Sequence, residues 1–521
     1  MKRISKRLLS VLLVTIMLLS VALPMTAEAA ATSSTYPIVY VQGRRTPIYN
    51  KDGKKIYPLS TNISEKLMED KSTIASAFSK SLLTNNWDPL CDAIYNSIAP
   101  LYAELVLDEN GEIKNGSYHK KSATPATKTS DYKVSDYVFQ YDSRTDPIAS
   151  AKLLQTYIKS VLKATGKKKV NLVGRCLGSS IIASYLTMYG NTYVDTALFY
   201  AAACNGILPI GATFSGHIQL DADSIQKYTD TSLNDEDDFD EFIKGLVTLT
   251  NQAKLLGVGT DKINSIYRSI ADQILPKLLL ATYATMPCYW SMVSDEYYES
   301  AKSFIFKGDT KTYAGLIKKI DNYHYNVQLP LNETLTKLKK NGMKVINISK
   351  YNVRLAPVFE NCNVQADGTV ELSTMSFGAT SANIGKTLSK SYLSSVAASG
   401  MGSYVSKDSM IDSSTCLFPD STWFIKNIKH TTFPSCVNSL IYEAFSSRGQ
   451  FTIRSNKNYP QYLEYKDKTL VPVTQLNKDD LDKDDGGGSS LLTSMLKVFI
   501  AAFMSTFGNL IKIVSGILSS Q

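Results

Sequence analysis

Histidine is scarce, with four residues in a chain of 521, so any chemistry that needs an imidazole has few places to find one. The seven cysteines are scattered and show none of the paired spacing that structural zinc requires, so neither a metal nor another cofactor is expected. Basic residues exceed acidic ones, giving a net charge of +9. They are dispersed rather than gathered into a stripe, which argues against a nucleic-acid groove. Internal repeats are absent. Long apolar runs are rare too, and the exceptions lie at the two ends.

At the start, Lys2, Arg3, Lys6 and Arg7 precede an apolar run from Leu8 to Leu23, and Ala27-Glu28-Ala29 follows. A basic head, a short apolar stretch and small residues at spaced positions predict a signal peptide over residues 1–29. The expectation is an exported protein, secreted or held at the cell surface. In that setting the cysteines other than Cys176 could pair, but their spacing leaves bridged and free forms open.

The chain between is 44% apolar and 20% charged overall, enough to bury a large core. Strands are expected at Pro37–Val41, Tyr137–Tyr141, Val170–Val173, Val194–Ala203 and Met343–Ile348, with helices between them. One such helix follows Asp146-Pro147 and runs from Ile148 to Ala164, with Leu153, Leu154, Tyr157, Ile158, Val161 and Leu162 expected on one side. This alternation predicts an α/β fold with a mostly parallel sheet covered by helices on both faces.

The core is expected in two parts, residues 30–217 and 331–476, split by a helical cap or lid over 218–330. An acidic Gly/Ser linker follows at 477–490, then an amphipathic helix over 491–521. That helix is short of charge only from Val498 to Ile511, little for a bilayer span. Docking on a membrane surface, on a partner or on the protein itself, through residues 491–518, all stay open.

Gly174-Arg175-Cys176-Leu177-Gly178 falls between an expected strand and an expected helix. So sharp a corner crowds the backbone around its middle residue, hence glycine on either side, and it lifts that residue above the sheet. Serine is the usual occupant, and no Gly-x-Ser-x-Gly occurs here. Cys176 is therefore the candidate nucleophile, reactive as a thiolate once a base takes its proton. Ala202-Ala-Cys204-Asn-Gly206 is a weaker look-alike, with no helix beginning at its cysteine.

His430 is the candidate base, because it lies late in the chain in an expected loop, whereas His119, His217 and His324 fall earlier. The orienting acid should come between nucleophile and histidine, after a late strand. Asp367, which opens an Asp-Gly turn, meets that order. Two backbone N–H groups should form the oxyanion hole, that of Leu177 and that of Arg44 after the first strand.

These stretches resemble the lipase and lecithin:cholesterol acyltransferase branch of the α/β-hydrolases. Tyr141-Asp-Ser-Arg144 is similar to that branch's Tyr-Asp-Trp-Arg, Val170 to Gly178 to its nucleophile strand and elbow, Met286 to Trp290 to its cap segment, and Asp367 to Val370 to its acid turn. The resemblance covers residues 36–440. It implies action on acyl esters, often lipids, through Cys176, Asp367 and His430. Two residues depart from the pattern: Gln42 stands where histidine is usual, and Cys176 replaces serine. Gly-x-Cys-x-Gly is also the pattern of polyhydroxyalkanoate synthases, which work inside cells and hold growing chains as thioesters. Hydrolysis and acyl transfer both stay open, and so does a non-catalytic surface or binding protein on the same scaffold.

Overall fold

A computed structural model describes residues 31–43, 46–61, 63–219 and 260–481. The expected signal peptide, the 220–259 part of the expected cap, most of the linker and the C-terminal amphipathic segment lie outside these residues.

Eight strands make the main sheet: β1 (Ile38–Val41), β2 (Tyr137–Phe139), β3 (Val170–Arg175), β4 (Val194–Tyr200), β5 (Lys344–Tyr351), β6 (Thr422–Lys426), β7 (Tyr462–Lys466) and β8 (Thr469–Pro472). Their order across the sheet is β2-β1-β3-β4-β5-β6-β7-β8. Every neighbouring pair is parallel except β7 and β8. Residues 345–351 of β5 and all of β6 are buried, with no alternation of inside and outside. Strands reading this way are covered on both faces. The fold is therefore α/β, a mostly parallel sheet wrapped by helices in the manner of an α/β-hydrolase.

Parallel strands need long crossovers, and the sequence supplies helices for them. α1 (Pro147–Thr165) joins β2 to β3. Asp146 caps it by accepting the Ile148 N–H at 2.9 Å, and Gly166, at φ 66°, ends it in the left-handed region. Its buried stripe is Ile148, Ala151, Leu154, Ile158 and Val161. Leu153, expected on that stripe, is 54% exposed. It sits one residue from Leu154, a rotation of about 100° around the helix, and the helix buries one of the two. α2 (Gly178–Tyr189) packs on α1 and carries buried residues from Gly178 through Leu186. β4 stops at Tyr200, short of the expected Ala203, because Ala201 turns to φ 47°.

Between β1 and β2 the chain makes three short strands (Ile48–Tyr49, Lys55–Tyr57 and Tyr118–His119) and three helices ending with Asp88–Tyr102. That last helix packs against Thr260–Leu280, so helices from two separate excursions lie together. Their junction borders a cleft of about 610 Å³ lined by Tyr95, Pro100, Leu107, Leu280 and Tyr313. Among the described residues, no helix is long and apolar enough to cross a membrane.

Tyr141-Asp-Ser-Arg144 forms a buried staple beside this junction. Arg144 pairs with Asp142 through Nε (2.9 Å) and Nη2 (2.7 Å), and its Nη1 donates to the Leu105 carbonyl and Ser117 Oγ. The Arg144 carbonyl in turn accepts the Cys288 N–H at 3.4 Å. The motif's backbone thus ties the sheet edge to the Met286–Trp290 segment.

Candidate active site

Strand β3 ends at Arg175, and the chain then reverses into α2 through Cys176, whose φ is 49°. A non-glycine residue in that region is strained, and such strain concentrates where function needs it. The flanking glycines follow from space. A Cβ on Gly178 would lie 2.2 Å from the Val41 carbonyl oxygen, and one on Gly174 would meet Ile182 Cδ1 at 2.7 Å. Gly43 belongs to the same knot, since a Cβ there would stand 3.2 Å from Cys176 Cβ. Cys176 is thereby held at the carboxyl end of the sheet as a half-buried residue.

His430 lies in the loop between β6 and the helix Ser435–Ser446. Its Nδ1 is 2.6 Å from Asp367 Oδ2, and its backbone N–H donates to the Asp367 carbonyl at 2.8 Å. The same imidazole stands beside Cys176, and each side chain shifts the titration of the other. Asp367 is fully buried beyond β5, in a turn where Gly368 takes φ 90°. Its Oδ1 accepts the N–H groups of Thr369 (3.1 Å) and Val370 (2.8 Å). The fold thus brings together the three residues expected from sequence: His430 is hydrogen-bonded to Asp367 and electrostatically coupled to Cys176.

The electrostatics follow from that line. Burial alone would raise the Cys176 thiol, but the His430 charge and hydrogen bond, the Leu177 N–H and Arg175 together bring it below the ordinary thiol value. Burial likewise opposes charge on His430, yet Asp367 and Cys176 raise it to about 10. Asp367 is resisted by burial and still lowered by His430, Lys350 and the Val370 N–H. The arrangement favours a thiolate beside an imidazolium.

Cys91, Cys204, Cys288, Cys416 and Cys436 are free thiols. Burial pushes Cys204 up to about 12, and Cys91 and Cys416 to about 11, while Cys288 and Cys436 are raised as well. The other histidines are engaged elsewhere: His217 Nδ1 with Ser215 (2.8 Å), His324 Nδ1 with Gln328 (2.7 Å), and His119 in the Tyr118–His119 strand.

Of the two expected oxyanion donors, Leu177 follows Cys176 directly, and its N–H helps to lower the thiol. Arg44 lies outside the described residues. Gly43 just before it abuts Cys176, and the Tyr141 hydroxyl anchors this turn by donating to the Gln42 carbonyl at 3.0 Å. The cleft near Tyr95 and Tyr313 is lined by none of the candidate residues.

Three neighbours were not anticipated in these places. Lys350, at the end of β5, is wholly buried beneath the His430 loop. Tyr200 donates its hydroxyl to the Thr432 carbonyl at 3.1 Å. Phe433 stacks on Tyr40 (centroids 5.9 Å apart) and lies against Tyr200 (4.7 Å), with the Arg175 guanidinium 5.7 Å from its ring. Sequence offers no signal for Lys350, because the expected strand Met343–Ile348 stops two residues short of it.

The fold and its site define the class: an α/β sheet that gathers a cysteine, a histidine and an aspartate at its carboxyl edge. No family model matches the chain, and no curated protein matches it. Among solved structures, a chain of the Tle4–Tli4 complex is similar at 13% identity over 35% of this chain and 48% of that one, with a TM-score of 0.18. KEX1(delta)p, a prohormone-processing carboxypeptidase from Saccharomyces cerevisiae, is similar at 10% identity over 61% of this chain and 65% of that one, also with a TM-score of 0.18. The chain thus spans about half the length of the first and just under two thirds of the second. At that score neither likeness carries an argument about chemistry.

Proposed function

We propose that the protein is an exported thiol hydrolase or acyltransferase that acts on acyl esters, lipids among them, through a Cys176 thioester. The observation that supports this best is the meeting of Cys176 with an imidazole that is itself hydrogen-bonded to Asp367, which lowers the thiol and raises His430.

The Cys176 thiolate attacks the acyl carbonyl carbon, and the carbonyl π electrons move onto oxygen, for which the Leu177 N–H is the proposed donor. Collapse of this intermediate breaks the bond to the alcohol, which leaves with the proton of His430 Nε2. The acyl group remains on sulfur. His430 then takes a proton from water, or from an alcohol or amine acceptor, as that oxygen or nitrogen attacks the thioester. Cleavage of the C–S bond returns the thiolate. Asp367 holds the imidazole in the tautomer that this exchange requires and stabilises its charged form. A helical excursion on the sheet and an amphipathic C-terminal segment fit an apolar or interfacial substrate, with residues 491–518 as the contact to membrane or partner.

The test is a panel of nitrophenyl esters of increasing chain length, with and without alcohol and amine acceptors, followed by mass analysis of the acid-quenched protein. The expected result is turnover with a hydroxylamine-sensitive acyl adduct on the peptide containing Cys176. Cys176→Ala should abolish both. Undiminished turnover by that variant overturns the proposal.

A further inference from the structure

The loop bearing His430 is gripped from the sheet by side chains that the reaction scheme does not use. Four successive carbonyls, those of Lys429, His430, Thr431 and Thr432, all accept hydrogen bonds from strand residues. Lys350 Nζ donates to Lys429 (2.9 Å), His430 (3.0 Å) and Thr432 (2.8 Å). Arg175 Nη2 reaches the His430 carbonyl at 3.3 Å and also that of Thr431, and the Tyr200 hydroxyl adds its bond to Thr432. The strand register aligns Arg175 with Tyr200 and Tyr200 with Ile348, so the donors share the carboxyl edge of the sheet.

Lys350 has no exposure, which is rare for lysine. An ammonium carries three protons, and here it meets three carbonyls. A neutral amine would leave one acceptor facing a lone pair, a buried unmet hydrogen bond. The contacts therefore suit the charged form. Around it stand Asp367 and Cys176, which favour the charge, Arg175, which opposes it, and the Tyr200 ring at 4.6 Å. Burial pushes the ammonium down to about 7, so the grip is firmest in neutral to acidic solution and slackens as pH rises beyond that value.

We propose that Lys350 is a positioning residue: by binding three carbonyls of the 429–432 loop it fixes the His430 ring against the Cys176 sulfur and so sustains the thiolate. This rests on the catalytic reading above. A lysine that merely filled space would contribute to stability and leave the reactivity of the sulfur alone.

Iodoacetamide alkylation of Cys176 in the full chain, followed by peptide mass mapping from pH 5 to 9.5, distinguishes the two. Near-UV circular dichroism selects the folded variants. Lys350→Met is expected to remain native and to raise the thiol pKa by at least ~1 unit, slowing alkylation at pH 6 about tenfold. If Lys350→Met does not fold, Lys350→Arg is read the same way, because a planar fork cannot converge on three carbonyls around one nitrogen. A folded variant whose profile superimposes on the wild type, whatever its melting temperature, overturns the inference alone. An ordinary thiol profile in the wild type overturns the catalytic reading and this inference with it.

Discussion

Exchanging Asp367 for asparagine preserves the shape of the side chain and deletes its charge at a site with no exposure. An amide oxygen can still accept the Thr369 and Val370 N–H groups that now bind Oδ1. The amide NH₂ then faces His430 Nδ1 across 2.6 Å, and the ring must adopt the tautomer that cannot accept the thiol proton. The gap between an ordinary ~6.5 and the value of about 10 on His430 corresponds to ~5 kcal/mol. Cys176 shares in that shift, so this is a ceiling for Asp367. Removing one member of a buried pair typically costs ~3–5 kcal/mol, and about 3 is expected here.

The pH dependence has a definite sign. A raised histidine contributes stability that is complete below ~6.5 and is lost as pH climbs through about 10. The lowered carboxyl of Asp367 contributes stability above ~3.8 that disappears as pH falls through its folded value. Urea unfolding of wild type and Asp367→Asn should therefore differ most near pH 5–6, and the difference should shrink toward pH 10. Ester turnover should fall by ~10⁴. A stability difference within ~0.5 kcal/mol at pH 6, the scale of an inert surface change, would refute the reasoning, as would one that ignores pH.

Two further substitutions probe the frame. Gly178→Ala places a methyl 2.2 Å from the Val41 carbonyl oxygen and 2.8 Å from that of Gln42, backbone on both counts; it should lower stability by ~3 kcal/mol or more, seen as a reduced urea midpoint, and an unchanged midpoint would contradict the packing described. Arg144→Met strands the Asp142 carboxylate in the interior and should cost ~3–5 kcal/mol by thermal unfolding. Its folded fraction should alkylate Cys176 at pH 6 as fast as wild type, because the staple lies outside the reactive line.

The sequence made the corner at Cys176 legible because glycine on both sides answers a steric need that no other residue meets. His430 stood out through scarcity, and Asp367 through chain order. Lys350 was not legible, since what keeps it buried is a set of carbonyls almost eighty residues downstream that only the fold brings beneath it. Leu153 was misassigned because adjacent leucines offer two apolar stripes and periodicity cannot choose between them. The strands Ile48–Tyr49, Lys55–Tyr57 and Tyr118–His119 run to two or three residues, too brief for alternation to register. Length limits also hid the full extent of β5, whose last residues, Ser349 to Tyr351, read as polar although they are buried.

The sulfur just past β3 waits for a ring that arrives on the loop after β6, three strands away across β4 and β5. Until those later strands have docked, Cys176 is an ordinary thiol with a pKa of ~8.5, slow toward electrophiles at neutral pH. An unfinished or truncated chain is thereby kept chemically silent, and the onset of thiolate reactivity becomes a clock for the last stage of folding.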